Sequence, residues 1–134
     1  MSIASSIAVS GMTAASLRLQ VSASNVANAL SAGPLPGSAA AGNFPGPYVP
    51  LRVDQVDVAG GGTRASVSAV SPGTVPMYDP GALYADSRGM VARPNVDLAS
   101  EFVQQLIARY SFAANAQVVK ADAKMMATLF DITA

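Results

Sequence analysis

Residues 93–110 read Arg93-Pro94-Asn95-Val96-Asp97-Leu98-Ala99-Ser100-Glu101-Phe102-Val103-Gln104-Gln105-Leu106-Ile107-Ala108-Arg109-Tyr110. Pro94 sets the approach, and Asp97 has the side chain of an N-cap, a carboxylate that accepts from first-turn amides. Glu101 adds negative charge at the positive end of the helix dipole. Beyond the cap, Leu98, Phe102, Leu106 and Tyr110 recur at helical spacing. The rhythm continues through Ala114, Val118, Ala121, Met125 and Leu129, with Lys120 and Lys124 toward the end that favours cations. A helix of about 33 residues at 1.5 Å per residue runs roughly 50 Å. Such a helix needs a partner to cover its apolar stripe.

The partner lies at the other end of the chain. Residues 2–30 also follow a 3/4 rhythm: Ile3, Ile7, Ser10, Ala14, Leu17, Val21, Ser24 and Asn28. This is a heptad-like seam in which large and small residues alternate, and small residues let helices approach closely. Gly11 falls within it, at about 1 kcal/mol against Ala in a helix interior. It is either a tolerated weak point or a point of close helix contact.

Between the helices the pattern changes. Residues 31–47 are Gly, Pro, Ala and Ser-rich, punctuated by Gly33-Pro34, Pro36-Gly37 and Pro45-Gly46-Pro47, and read as an extended or mobile loop. Leu51, Val53, Val56 and Val58, then Ala65, Val67 and Ala69, alternate on either side of Gly60-Gly61-Gly62, which predicts a β-hairpin. From Val70 to Ala92 the motifs Ser71-Pro72-Gly73, Val75-Pro76 and Asp79-Pro80-Gly81 read as turn-rich irregular chain.

The expected fold is therefore mainly α. Long N- and C-terminal helices pack as a coiled-coil-like pair, with a small β-hairpin and a Gly/Pro-rich loop between them. The expected division is residues 1–30, residues 31–94 and residues 95–134.

Composition narrows the function. Hydrophobic residues make up 51% of the 134, but aromatics only 6%, so much of the apolar content is Ala, which buries little area. Charged residues are 12%, about half the usual share. A zero formal net charge favours association. There is no basic run, so no nucleic-acid partner is expected. There is no Cys, hence no disulfide or thiolate chemistry.

An enzyme is a poor fit. The chain has no His, the commonest general base, and its carboxylates are scattered. Asp54 and Asp57 are three apart on a strand and point to opposite faces. Gly60-Gly61-Gly62 lacks the Lys-Ser/Thr pair of a phosphate loop. No catalytic residue, cofactor, metal or small-molecule substrate is expected. A membrane-surface helix is disfavoured because the first helix lacks a Lys/Arg-rich polar face. With no Lys or Arg before Arg18, the start does not read as a secretory signal. The chain is expected to be cytosolic or exported with its N-terminus intact.

Two segments carry a family resemblance. Ser22-Ala23-Ser24-Asn25-Val26-Ala27-Asn28 resembles the Ser-Ala-Asn-Asn-Leu-Ala-Asn-like motif of the flagellar rod and hook proteins, with Ser24 for the first Asn and Val26 for Leu. The C-terminal half matches in order and spacing: Tyr78-Asp79-Pro80, Leu83, Ala85-Asp86, Gly89, Val91, Pro94-Asn95-Val96-Asp97 and Ala114-Asn115. The usual Glu-Gly-Tyr-Val element reads Arg88-Gly89-Met90-Val91 here. The usual Arg-Ala-Tyr-Glu-Ala-Asn element reads Tyr110-Ser111-Phe112-Ala113-Ala114-Asn115. With its short length, the chain looks most like the proximal rod proteins of that family.

The resemblance implies a structural subunit of the flagellar basal-body rod, self-assembling helically through terminal helices that order on assembly. It would form part of the drive shaft that carries torque across the periplasm. Implied partners are copies of itself, other rod proteins and the flagellar type III export apparatus, with export lacking signal cleavage. The expected subunit-interface residues are Ile3, Ile7, Ala14, Leu17, Val21, Asn25, Asn28, Asn95, Phe102, Leu106, Tyr110, Asn115, Met125 and Leu129. The alternative is a soluble helical adaptor that forms a finite oligomer and folds alone.

Overall fold

The computed structural model describes residues 2–133. Helix α1 spans Ile3–Asn28. Strands β1 (Leu51–Asp57), β2 (Thr63–Ala69), β3 (Thr74–Tyr78) and β4 (Met90–Pro94) follow, and helix α2 spans Leu98–Thr133. β1 pairs antiparallel with β2, setting Val53 opposite Val67. β3 pairs antiparallel with β4, setting Met77 opposite Val91.

The second sheet corrects the expected fold of one helix pair and one hairpin. Within residues 70–92 the stretch 79–89 is turn-rich as expected, but the segments on either side of it are strands, and Arg93-Pro94 ends a strand instead of opening the helix. Two features hid β3–β4. Each strand carries a proline, Pro76 and Pro94, a residue that cannot donate to a ladder and so argues against a strand. The connection is also long and is held by a side chain. Asp86 Oδ1 accepts from the backbone N–H groups of Met90, at 2.9 Å, and Arg88, at 2.8 Å. These amides, with the Arg88 guanidinium, hold the Asp86 carboxyl below its ordinary range.

The 31–47 loop is folded into turns against this sheet and is not extended. Gly33 exchanges backbone bonds of 3.0 and 2.9 Å with Ala92. The Phe44 ring meets Tyr84 edge-on, with centroids 5.9 Å apart.

Both caps form as side-chain chemistry dictates. Asp97 Oδ1 accepts from the Ala99 N–H at 3.1 Å, and Ser2 Oγ accepts from the Ser5 N–H at 3.1 Å. The helices are antiparallel, because the start of α1 meets Asp122 and its end meets Glu101. α1 is the central element, with α2 on one side and the β1–β2 hairpin on the other. Among the described residues, the buried alanines and valines are Ala8, Ala14, Ala15, Ala29, Ala92, Ala108, Val21 and Val91. Each alanine methyl contributes only about 0.8 kcal/mol on burial. The core gains its strength from closeness and polar bonds instead of bulk.

Candidate assembly surface

The α1–α2 seam is made of small residues. Ala8, Ala15 and Ser22 are buried and fall seven apart, with Gly11 and Asn25 at the complementary positions. A Cβ built on Gly11 would lie 2.7 Å from Asn115 Nδ2 and 2.9 Å from its Cγ. Asn115 itself is held back on α2, donating to the Ser111 carbonyl at 2.8 Å. Gly11 is thus a point of close helix contact, which settles the alternative left open by sequence.

Asn25 locks three elements together. It is 1% exposed. Its Nδ2 donates to the Leu51 carbonyl at 2.7 Å and to Glu101 Oε1 at 2.6 Å. Its Oδ1 accepts from the Leu51 N–H and from the Tyr48 hydroxyl, both at 3.0 Å. Two donors and two acceptor sites are all used, so α1, β1 and α2 are held in one geometry. Ser22 Oγ adds a bond to the Glu101 carbonyl at 3.0 Å. At the far end the Ser2 and Ser5 hydroxyls both donate to Asp122 Oδ2. Those two bonds lower the Asp122 pKa.

The other side chains expected at interfaces are distributed as follows. Ile3, at 75%, and Ile7 are exposed. Ile7 lies under Gly61, and Ser10 accepts from the Thr63 N–H at 3.1 Å. Leu17 lines a cleft with Val58 and Ala65. Ala14 and Val21 are buried. Positions 7, 10, 14 and 17 of α1 therefore lie on the side of the hairpin.

Asn28 is half-buried and donates to the Ser24 carbonyl of its own helix at 2.8 Å. Exposed Asn95 donates to the Pro72 carbonyl at 3.0 Å. Of the four asparagines, Asn25 alone bonds across the helices.

Sequence reasoning did not place Ser5, Ala8, Ala15, Ser22, Ala108, Glu101 and Asp122 at the contact between the helices. The seven-residue spacing of Ala8, Ala15 and Ser22 was the available signal.

On α2 the large stripe is open. Phe102 is 59% exposed, Leu106 50%, Tyr110 70%, and Met125 and Leu129 each 59%. Between the stripe and α1 runs an apolar groove of about 570 Å³, lined by Ala15, Leu19, Phe102, Leu106 and Phe112, with Arg109 as its charged residue. No helix among the described residues is long and apolar enough to cross a membrane, and no group of His, Cys, Asp or Glu there could hold a metal ion. Exposed apolar faces of this extent mark protein contacts.

A chain with small-residue seams and an open apolar helix face belongs to the class of assembling structural proteins. Residues 87–132 match the family model for the flagellar basal body rod FlgEFG protein C-terminal region. The chain is 36% identical over 138 residues to the flagellar basal-body rod protein FlgC of Agrobacterium fabrum, covering 98% of this chain and 94% of that one. It is 37% identical over 126 residues to the proteins of that name from Escherichia coli O157:H7 and Salmonella typhimurium, covering 90% of this chain and 88% of each. The chain belongs to the FlgC family of flagellar basal-body rod proteins, which are structural and not enzymatic.

Proposed function

We propose that this chain is a subunit of the proximal rod that assembles helically through its terminal helices, forming part of the shaft that transmits torque across the periplasm. The observation behind this reading is the open stripe of Phe102, Leu106, Tyr110, Met125 and Leu129, beside a helix pair already closed by small residues. Apolar area of this kind is worth about 25 cal/mol per Å² once covered, and neighbours in a stack are what can cover it. Residues 1–30 and 95–134 then act as the axial core, and residues 31–94 face outward.

Its partners are further copies and other rod proteins, engaged through the interface residues named from sequence. Delivery is by the flagellar type III apparatus with the N-terminus uncleaved. Absence of Cys suits a chain passed unfolded through a channel.

The test is motility and basal-body composition in cells carrying Leu106→Gln and Tyr110→Ser together. Loss of swimming, with the variant chain soluble but absent from purified basal bodies, is the expected result. Normal swimming contradicts the reading.

A further inference from the structure

The outer edges of the two small sheets are treated unequally. In an antiparallel pair every second residue turns its N–H and C=O away from the partner strand. In β3–β4 the backbone bonds from Asp79 to Gly89 and from Asn95 to Gly73 turn Thr74, Pro76 and Tyr78 outward on β3. Pro76 has no N–H to offer there, which blunts that edge. β4 turns Met90 and Ala92 outward, and both are already bonded, Met90 to Asp86 and Ala92 to Gly33.

In β1–β2 the bonds from Val58 to Gly62, at 3.2 Å, and from Val70 to Pro50, at 2.8 Å, set the even-numbered residues against each other and turn the odd-numbered ones outward. On β1, Asn25 takes both backbone groups of Leu51, and Arg52, Asp54 and Asp57 add charge along the strand. On β2, the Thr63 N–H goes to Ser10. Beyond it Ala65, Val67 and Ala69 turn their backbone groups outward over about 13 Å at 3.3 Å per residue. The stretch 65–69 holds no proline and no charge, and Val67 is 43% exposed.

A cleft of about 370 Å³ runs beside this edge. It is lined by Thr13, Ala14 and Leu17 of α1 and by Thr63, Arg64 and Ala65 of β2, and by no residue of β1. Open ladder groups beside a side-chain cleft are the two parts of strand addition: the backbone bonds supply affinity, and the pocket that takes alternate side chains supplies selectivity. We propose that the outer edge of β2 takes up an extended segment of a different protein as an added strand. Arg64 narrows its chemistry. The ion pairs among the described residues are Arg52–Asp54 and Asp86–Arg88, and Arg64 has none. The segment therefore carries a carboxylate beside Arg64 and apolar side chains at alternate positions, one of them entering the cleft against Leu17. A second copy of this chain is a poor occupant, because its β2 offers no carboxylate and its other edges are blunted or bonded. The site is separate from the open stripe of α2 and does not depend on it.

The test places the photo-crosslinking residue benzoylphenylalanine at Thr13, on the cleft wall, in the full chain in intact cells, and reads the adducts by mass spectrometry. An adduct to a segment of a different protein that carries Asp or Glu is expected. Val67→Pro removes an outward N–H without cutting the β1–β2 ladder, and should lower the adduct yield about tenfold. Gln55→Pro removes the equivalent N–H from the β1 edge and should leave the yield unchanged. Urea unfolding of the purified variants confirms that each keeps its fold. Arg64→Glu leaves every ladder bond in place and should lower the yield about threefold. No adduct, or adducts only to a second copy of this chain, overturns the proposal. A yield that Val67→Pro leaves unchanged in a folded chain overturns it, as does a yield indifferent to Arg64→Glu.

Discussion

The two faces of α2 are built from opposite materials. Toward α1 it presents Glu101, Ala108, Ser111, Asn115 and Asp122, and α1 answers with Ser5, Ala8, Gly11, Ala15, Ser22 and Asn25. Outside that contact it presents Phe102 and Leu106 along the edge of the groove, and Tyr110, Met125 and Leu129 open to solvent. Large side chains usually close a chain's own core. Here the small and polar ones do so, through close approach and fully used hydrogen-bond groups, and the large ones stay open. A single chain fixes its shape with one face and keeps most of its apolar area on the other.

The contrast yields ordered expectations for the stability of the purified chain. Asn25→Ala has the largest effect. It leaves the Leu51 backbone groups and Glu101 Oε1 without their Asn25 bonds and takes one of two partners from the Tyr48 hydroxyl, which keeps Ser24, and urea unfolding should show a loss of about 3 kcal/mol. Gly11→Ala comes next. The new methyl meets Asn115, so overpacking outweighs the gain in helix propensity and the loss should be about 1 kcal/mol. Adding Asn115→Ala removes the obstruction, and a double-mutant cycle should recover most of that loss. If Gly11→Ala stabilises the chain, the close contact is not a constraint.

Changes on the open face should hardly register in the same assay. Leu106→Gln, alone or with Tyr110→Ser, is expected to shift unfolding by less than about 0.5 kcal/mol, although swimming is lost. A large destabilisation would mean that the outer stripe already serves the single chain.

The smallest effect is set by pH. The Ser2 and Ser5 hydroxyls hold the Asp122 pKa below its unfolded value. That contribution is complete above the unfolded carboxylate value of about 3.9. It is lost as pH falls through the folded value. The exchange protection factors of amides in the first turns of α1 should fall below about pH 4, and the Ser2→Ala, Ser5→Ala double variant should remove that step.

The sequence carried the helices and one hairpin because those signals are local. Asp97 as a cap, the apolar rhythm from Leu98 to Leu129, and Gly60-Gly61-Gly62 between alternating strands each point to one conformation. All three of those glycines adopt positive φ, which other residues rarely do. The β3–β4 sheet was hidden because its strands are short, contain proline, and join through a connection held by the Asp86 carboxylate, a bond no periodicity announces. The contact of α1 with α2 is hard to read for a related reason. Ile7 and Leu17 stand out by size, but they lie on the side of the hairpin. The contact with α2 needed residues nearly invisible to hydrophobicity, such as Ala8 and Ser22. Asn25 was singled out through its motif, yet its four bonds depend on where β1 arrives.

The most direct measurement is maleimide labelling of single cysteines placed in this Cys-free chain, compared between purified chain and basal bodies. Ser22→Cys, on the seam, should be protected in both. Leu106→Cys, Tyr110→Cys and Met125→Cys should react in the free chain and be protected in basal bodies. Outer cysteines that stay reactive in basal bodies, or are already protected in the free monomer, would contradict the division of labour between the two faces.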